Sequence, residues 1–259
     1  MRYYLGLGGN LGDVAASMAT AVEALRARGH DVPLISSCYA TAPMGGNSSA
    51  PYLNAVLGVD AFRSPLEMLR DCQEIEAASG RVRGAAWGER TLDIDLLLAG
   101  ESRLSSPTLT LPHPGLTYRR FALDPLYEVA PDAWHPALKV DVRQLRQWLL
   151  PRPLEVLIRM KLRIDVEALT KDWQETFRSR IQLSSTSDPD ATASRAGWLL
   201  DGVAPVSPSR PRTVSLIDLG AGAGTVPDPL ERVGPVLAAM TDEPKIVPAP
   251  ALDRVREQA

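Results

Sequence analysis

A mixed α+β sandwich is predicted from three observations. The elements run in the order β-α-β-β-α-β, the helices carry clear cap and stop signals, and the last strand of the series holds an Asp-x-Asp pair among aliphatic residues. Residues 2–7 read as the first strand and Gly8-Gly9-Asn10-Leu11-Gly12 as a turn. Asp13 caps a helix in which Val14, Met18, Val22 and Leu25 recur at helical spacing, and Gly29 ends it. Residues 34–40 form a second strand. A loop rich in Pro, Gly, Asn and Ser covers 41–51, and a third strand covers 53–62. Ser64-Pro65-Leu66-Glu67 starts the second helix with an N-cap Ser, Pro at N1 and Glu at N3. That helix turns Leu69, Cys72 and Ile75 inward and stops at Gly80, and the strand with Asp93 and Asp95 follows. This order is the ferredoxin-like split βαβ arrangement. A turn near Pro107, a helix over 122–130 and a short helix over 141–150, ended by Pro151, complete the first part.

A length of 259 residues allows one large domain or two smaller ones, and 45% hydrophobic residues suffice for a core. We divide the chain into a domain of residues 1–155 and an extension of residues 156–259. In the extension Val166, Leu169, Trp173, Phe177 and Ile181 mark one amphipathic helix near 164–182. Ser/Thr- and Pro-rich stretches at 184–189 and 205–211 read as linkers, and the Pro-rich last fifty residues as partly disordered. A net charge of −3 argues against non-specific nucleic-acid binding. Two cysteines make no disulfide framework, and no signal peptide or bilayer-length apolar run is seen. A cytoplasmic protein with neither nucleic acid nor membrane as partner is the expectation.

The chemistry concentrates in Trp87-Gly88-Glu89-Arg90-Thr91-Leu92-Asp93-Ile94-Asp95-Leu96-Leu97-Leu98. Strand alternation turns Leu92, Ile94, Leu96 and Leu98 one way and Asp93 and Asp95 the other. The two aspartates are then roughly 6–7 Å apart along the backbone. Carboxylates without partners on so apolar a strand are costly, so something positive faces them: Mg²⁺, or Arg90, Arg81 or Arg83. Arginine recognises phosphate bidentately, and three of them beside a carboxylate pair point to metal-assisted chemistry on a phosphate. Gly80, Gly84 and Gly88 suit a loop that closes over substrate. His113, ahead of Arg119, Arg120 and Phe121, marks a second basic and aromatic patch, whereas His30 and His135 read as surface residues. Tyr52, Asn54, Trp87 and Phe121 offer ring faces and an amide to a planar heterocycle. Gly6-Leu7-Gly8-Gly9-Asn10-Leu11 is neither Gly-x-Gly-x-x-Gly nor a P-loop, and a tight strand-to-helix turn accounts for it. Residues 216–224 look like the first motif of an adenosylmethionine-dependent methyltransferase. Pro227 and Pro229 interrupt the helix that should follow, and too little chain remains for a doubly wound sheet.

Residues 3 to about 150 resemble the 6-hydroxymethyl-7,8-dihydropterin pyrophosphokinase family. The resemblance rests on Gly8-Gly9-Asn10-Leu11-Gly12-Asp13, Tyr52-Leu53-Asn54, Gly80-Arg81-Val82-Arg83, the Trp87–Asp95 run, Leu111-Pro112-His113, Arg119-Arg120-Phe121 and Pro125-Leu126. It implies the ferredoxin-like fold and pyrophosphoryl transfer from ATP to the pterin in folate biosynthesis. It further implies that Asp93 and Asp95 hold two Mg²⁺ ions and that Arg81 and Arg90 neutralise the transferred group, Arg83 assisting. Gln73, Glu76, His113 and Arg119 would line the nucleotide side. Tyr52 and Phe121 would sandwich the pterin, Asn54 would bond its edge, Thr41 and Met44 would line the pocket, and Trp87 would seal it. The family's Gly-Ser-Asn, Thr-Pro-Pro and Trp-Gly-Pro-Arg are Gly8-Gly9-Asn10, Thr41-Ala42-Pro43 and Trp87-Gly88-Glu89-Arg90 here. Thr108 and Pro114 stand where an Arg and an aromatic are common. The competing readings are a pterin- or nucleotide-binding protein whose extension has taken over, and a bifunctional enzyme with an added methyl-transfer site.

Overall fold

The computed structural model describes residues 1–42, 50–80, 90–151, 153–159, 180–186, 198–201, 212–215 and 233–259. Its main sheet contains β1 (Arg2–Gly9), β2 (Asp31–Ile35), β3 (Cys38–Thr41), β4 (Tyr52–Asp60), β5 (Asp93–Ala99) and β14 (Lys245–Val247). The strands lie in the order β14-β3-β4-β1-β5, with β2 also on β4, and every neighbouring pair is antiparallel.

Local chemistry fixes the helices as expected. Asp13 accepts from the Ala16 amide at 3.0 Å to start α1 (Val14–Ala27). Ser64 and Glu67 form a reciprocal capping box at the start of α2 (Pro65–Ala78). Both helices end before a glycine in the left-handed region, Gly29 at φ 80° and Gly80 at φ 78°. α1 and α2 cover one face of the sheet, where Leu5, Leu7, Val22, Leu57, Cys72, Ile94 and Leu96 form a core.

The second strand expected over 34–40 is two strands, broken at Ser36 and Ser37. Ser36 donates its amide to Val56 O (2.9 Å), while its hydroxyl, not its carbonyl, accepts the Val56 amide (2.8 Å). The ladder kinks there. Alternation also fails late in β5. The register with β1 slips between Tyr4 and Leu5, so Leu98 joins Leu97 on the opposite face from Leu92, Ile94 and Leu96, contrary to the expected stripe. Gly8 and Gly9, read as part of a turn, belong to β1 together with Gly6.

The opposite face of the main sheet carries α3 (Arg120–Val129) and α4 (Val142–Gln147). Small antiparallel pairs connect these parts: β6 (Leu104–Ser105) with β7 (Thr110–Leu111), and β8 (Trp134–His135) with β9 (Val140–Asp141). The extension holds a second sheet, wholly parallel, of β10 (Leu154–Arg159), β11 (Ile181–Thr186), β12 (Trp198–Asp201) and β13 (Thr213–Ser215), in the order β11-β10-β12-β13. Its Leu154, Val156, Trp198 and Leu200 join Leu98, Leu123 and Leu126 in one core.

Of the Pro-rich last fifty residues, expected to be partly disordered, residues 233–259 are described and form α5 (Val233–Thr241), β14 and α6 (Pro250–Arg256). The prolines fall where they do no harm: Pro235 in the first turn of α5, Pro244 and Pro248 flanking β14, and Pro250 at the first position of α6. The expected helix near 164–182 lies almost wholly outside the described residues, and Ile181 and Gln182 belong to β11. The glycine-rich stretch 216–224 lies outside them too. Among the described residues no helix is long and apolar enough to cross a membrane.

Candidate active site

Register builds the site. Tyr39, Asn54, Gly8 and Asp93 pair in one row across β3, β4, β1 and β5, and Val56, Gly6 and Asp95 pair in the next. Directly paired residues share a face, so Asn54 and the two aspartates look the same way across two glycines. A side chain at Gly8 would reach to 3.4 Å from Asn54 Oδ1, and one at Gly6 to 3.3 Å from Leu97 Cδ1. Gly8 leaves a trough between the Asn54 amide and the carboxylates, while the Leu97 side chain fills the room over Gly6.

One wall of the trough is cationic. Arg90 donates from Nη1 to Asp93 Oδ2. Arg119 Nη1 lies 3.6 Å and His113 Nε2 3.9 Å from Asp95 Oδ2, beyond hydrogen-bonding contact. His113 is set by two bonds. Its amide donates to Leu97 O (2.9 Å), and its Nδ1 accepts from the Gly115 amide (2.9 Å). The ring proton of the neutral form is therefore on Nε2, facing Asp95. Burial pushes the His113 imidazole below its usual range, and Asp95 pulls it upward.

Arg119 stacks between the Tyr118 and Phe121 rings, 5.7 Å from each centroid. It passes so close to Gly115 that a Cβ there would lie 2.4 Å from its Nε. Gly115 is thus a site residue missed by the sequence reading, because no spacing rule marks a glycine that makes room for a guanidinium.

Asn10 and Glu76 support the site from below. The amides of Asn10 and Leu11 both donate to Arg90 O, at 3.0 and 3.2 Å, and Asn10 Oδ1 accepts from the Arg90 amide at 2.9 Å. A Cβ at Gly9 would stand 2.7 Å from Thr91 O, which explains why the chain can close so tightly on residues 90 and 91. Glu76, buried on α2, accepts the Ile94 amide between the two aspartates at 2.7 Å. It thereby holds the strand.

At the far end of the trough Asn54 donates to Thr41 Oγ1 at 3.0 Å, with both residues buried. Tyr52 pairs with Thr41 and is half-buried, as is Phe121 at the start of α3. Gln73 is exposed on α2. Arg81, Arg83, Trp87 and Met44 lie outside the described residues. The two histidines expected at the surface are buried instead. His30 Nε2 bonds Asp71 at 2.9 Å, and His135 Nδ1 accepts the Leu138 amide at 3.2 Å. Among the described residues no three His, Cys, Asp or Glu side chains gather to hold a metal.

Residues 4–131 match the family model for 7,8-dihydro-6-hydroxymethylpterin-pyrophosphokinase. The chain is 46% identical over 132 residues to a 2-amino-4-hydroxy-6-hydroxymethyldihydropteridine pyrophosphokinase of Methylorubrum extorquens, covering 51% of this chain and 84% of that one. The corresponding Haemophilus influenzae protein is 35% identical over 146 residues, covering 56% of this chain and 91% of its own. Among solved structures, Plasmodium falciparum HPPK-DHPS A437G with pteroate is similar at a TM-score of 0.45 and 13% identity. That alignment covers 75% of this chain and 57% of the other, so this chain spans less than two thirds of it. The register that faces Asn54 and two aspartates across a glycine trough thus lies within the matched residues, and the chain belongs to the 7,8-dihydro-6-hydroxymethylpterin-pyrophosphokinase family.

Proposed function

We propose that this chain transfers pyrophosphate from ATP to the hydroxymethyl group of 6-hydroxymethyl-7,8-dihydropterin in folate biosynthesis. The hydroxymethyl oxygen bonds to the β-phosphorus and loses its proton. The bond from that phosphorus to the α,β-bridging oxygen breaks, and AMP leaves. The observation that carries the reading is the glycine trough, with an amide and a buried hydroxyl at one end and paired carboxylates with two arginines and a histidine at the other.

Asp93 and Asp95 are assigned as the residues that would hold two Mg²⁺ ions. Their chemistry fits the ion, because Mg²⁺ takes one or two protein carboxylates and completes its shell with water and phosphate oxygens. The Asp95 side chain is 40% exposed, so substrate-borne oxygens can approach it. When bound, the ions supply charge neutralisation to the triphosphate. The protein's own part is positioning and electrostatics. Arg90, tied at both ends of its peptide by Asn10, presents a cation beside Asp93. Arg119, stacked and walled in, presents another beside Asp95. His113 offers an N–H donor.

Arg81 is assigned with Arg90 to the transferred group and Arg83 to a loop that closes over it. Gln73 and Glu76 are assigned with His113 and Arg119 to the nucleotide side, Glu76 through its hold on β5. On the pterin side Tyr52 and Phe121 sandwich the ring, Asn54 bonds its edge, Thr41 and Met44 line the pocket and Trp87 seals it. The strand order β5-β1-β4-β3, antiparallel throughout, supports a ferredoxin-like reading of the catalytic part. We keep the division into a catalytic region of residues 1–155 and an extension of residues 156–259.

Incubating the full-length protein with ATP, Mg²⁺ and the pterin, and resolving nucleotides by chromatography, tests the reading. AMP is expected only when the pterin is present, and Asp95→Ala is expected to lower its rate by about 10²–10³-fold. Pterin-independent AMP, or undiminished turnover by Asp95→Ala, overturns it.

A further inference from the structure

The two rings assigned to the pterin stand on different elements. Tyr52, Asn54 and Val56 alternate onto one face of β4, and Val56 lies in the core that Leu123 and Leu126 of α3 share, so this face looks toward α3. β3 pairs with the same strand, Thr41 opposite Tyr52 and Tyr39 opposite Asn54. Phe121 stands at the second position of α3. The spacing between the two rings is therefore the spacing between α3 and the β3–β4 pair.

The first turn of α3 lacks two of the usual bonds. Arg119, its N-cap, makes no side-chain cap bond, and Pro125 has no amide to give the Phe121 carbonyl. Leu123 and Leu126 pack the helix onto the sheet, but apolar packing is non-directional. A directional bond elsewhere on the helix then decides how the face with Phe121 is set against the strands.

Glu128 supplies that bond. It follows Phe121 by two helical turns and so lies on the same side of α3. Its Oε2 accepts from the Tyr39 hydroxyl at 2.9 Å and from the Ser37 amide at 3.0 Å, and its Oε1 accepts from the Ser37 hydroxyl at 2.9 Å. Burial, and Glu128 after it, push the Tyr39 phenol upward, so it stays a donor. Arg256 of α6 donates to the same Oε1 at 2.9 Å and to Ser37 Oγ at 2.8 Å, which compensates a carboxylate only 23% exposed. The sheet-side donors are thus Ser37, just before β3, and Tyr39 within it.

We infer that Glu128 is a positioning residue for pterin binding, one that ties α3 to Ser37 and Tyr39 and so sets the width of the slot between Phe121 and Tyr52. It acts through the two rings, and Arg256 from the extension supports it. Arg119, the nucleotide-side cation next to Phe121, has its own hold. Its amide donates to Gly115 O at 3.2 Å, and the His113 amide anchors that turn to Leu97 O. The inference rests on the pterin-side assignment made above.

The test is steady-state kinetics on the full-length protein, comparing wild type, Glu128→Ala, Tyr39→Phe and the double variant. Tyr39→Phe removes one donor and leaves Glu128 in place. Glu128→Ala is expected to raise KM for the pterin by about tenfold and Tyr39→Phe by about threefold, with KM for ATP changed by less than about twofold in both. The double variant is expected to exceed Glu128→Ala by less than about twofold, because the bond from Tyr39 is already gone. If Glu128→Ala does not fold, as judged by circular dichroism, Tyr39→Phe carries its expectation alone. An unchanged pterin KM in either folded variant, equal rises for both substrates, or multiplying effects in the double variant overturn the inference while wild-type AMP production stands. A wild-type protein that makes no AMP removes the functional reading first, and the inference with it.

Discussion

His135 is 3% exposed, and burial pushes its imidazole down to about 4 from an ordinary 6.5. The unfolded chain therefore takes up a proton near pH 6.5 that the folded chain refuses until near pH 4. Its contribution to stability is complete above pH 6.5 and is lost as the pH falls through that window, by about 3 kcal/mol in all. Urea midpoints measured from pH 7 to pH 4 should show this loss, and His135→Gln should flatten it. A slope untouched by the substitution would assign the acid sensitivity to other groups. Neither buried histidine was legible in the sequence, since a lone His has no periodicity and its partners, Asp71 for His30 and the Leu138 amide for His135, are set by tertiary packing. The paired aspartates were legible because strand alternation alone puts them on one face.

At the scale of elements, helices followed from local chemistry and strands only in part. Asp13, Ser64 and Glu67 cap by bonds to residues three positions away, so their sequence order suffices. The kink between β2 and β3 depends on a serine hydroxyl replacing a backbone carbonyl against a strand twenty residues on, which no alternation pattern records. Ser36→Ala removes that acceptor and leaves the buried Val56 amide unpaired. It should cost about 1–3 kcal/mol, read as a fall in urea midpoint at unchanged m-value. Wild-type stability in that variant would show that the hydroxyl is not what holds the kink. The slip in β5 has a similar origin. Leu97 and Leu98 both fill the space beneath α3, where Gly6 leaves room, and that preference outweighs strict alternation.

On the scale of the molecule, the catalytic sheet and the parallel sheet share a core rather than meeting at a polar seam. Trp198 is fully buried within it, and its indole donates to Trp148 O at 3.3 Å. Trp198→Ala should therefore cost about 3–5 kcal/mol, and urea unfolding followed by circular dichroism and by retained AMP production should shift together. Loss of ellipticity with activity intact would mean that the two sheets unfold independently. This arrangement was not legible in the sequence, because the parallel strands are short and separated by Pro- and Ser-rich stretches that read as linkers. The pairing of β14 with β3 has a consequence for synthesis. Strand β3 is made well before its outer neighbour β14, so a nascent chain carries a bare sheet edge until residues 245–247 have been added and folded back. Completion of the sheet edge beside Thr41 then waits on translation of β14, and a chain released before that point would carry Asp93 and Asp95 on a sheet whose β3 edge is bare.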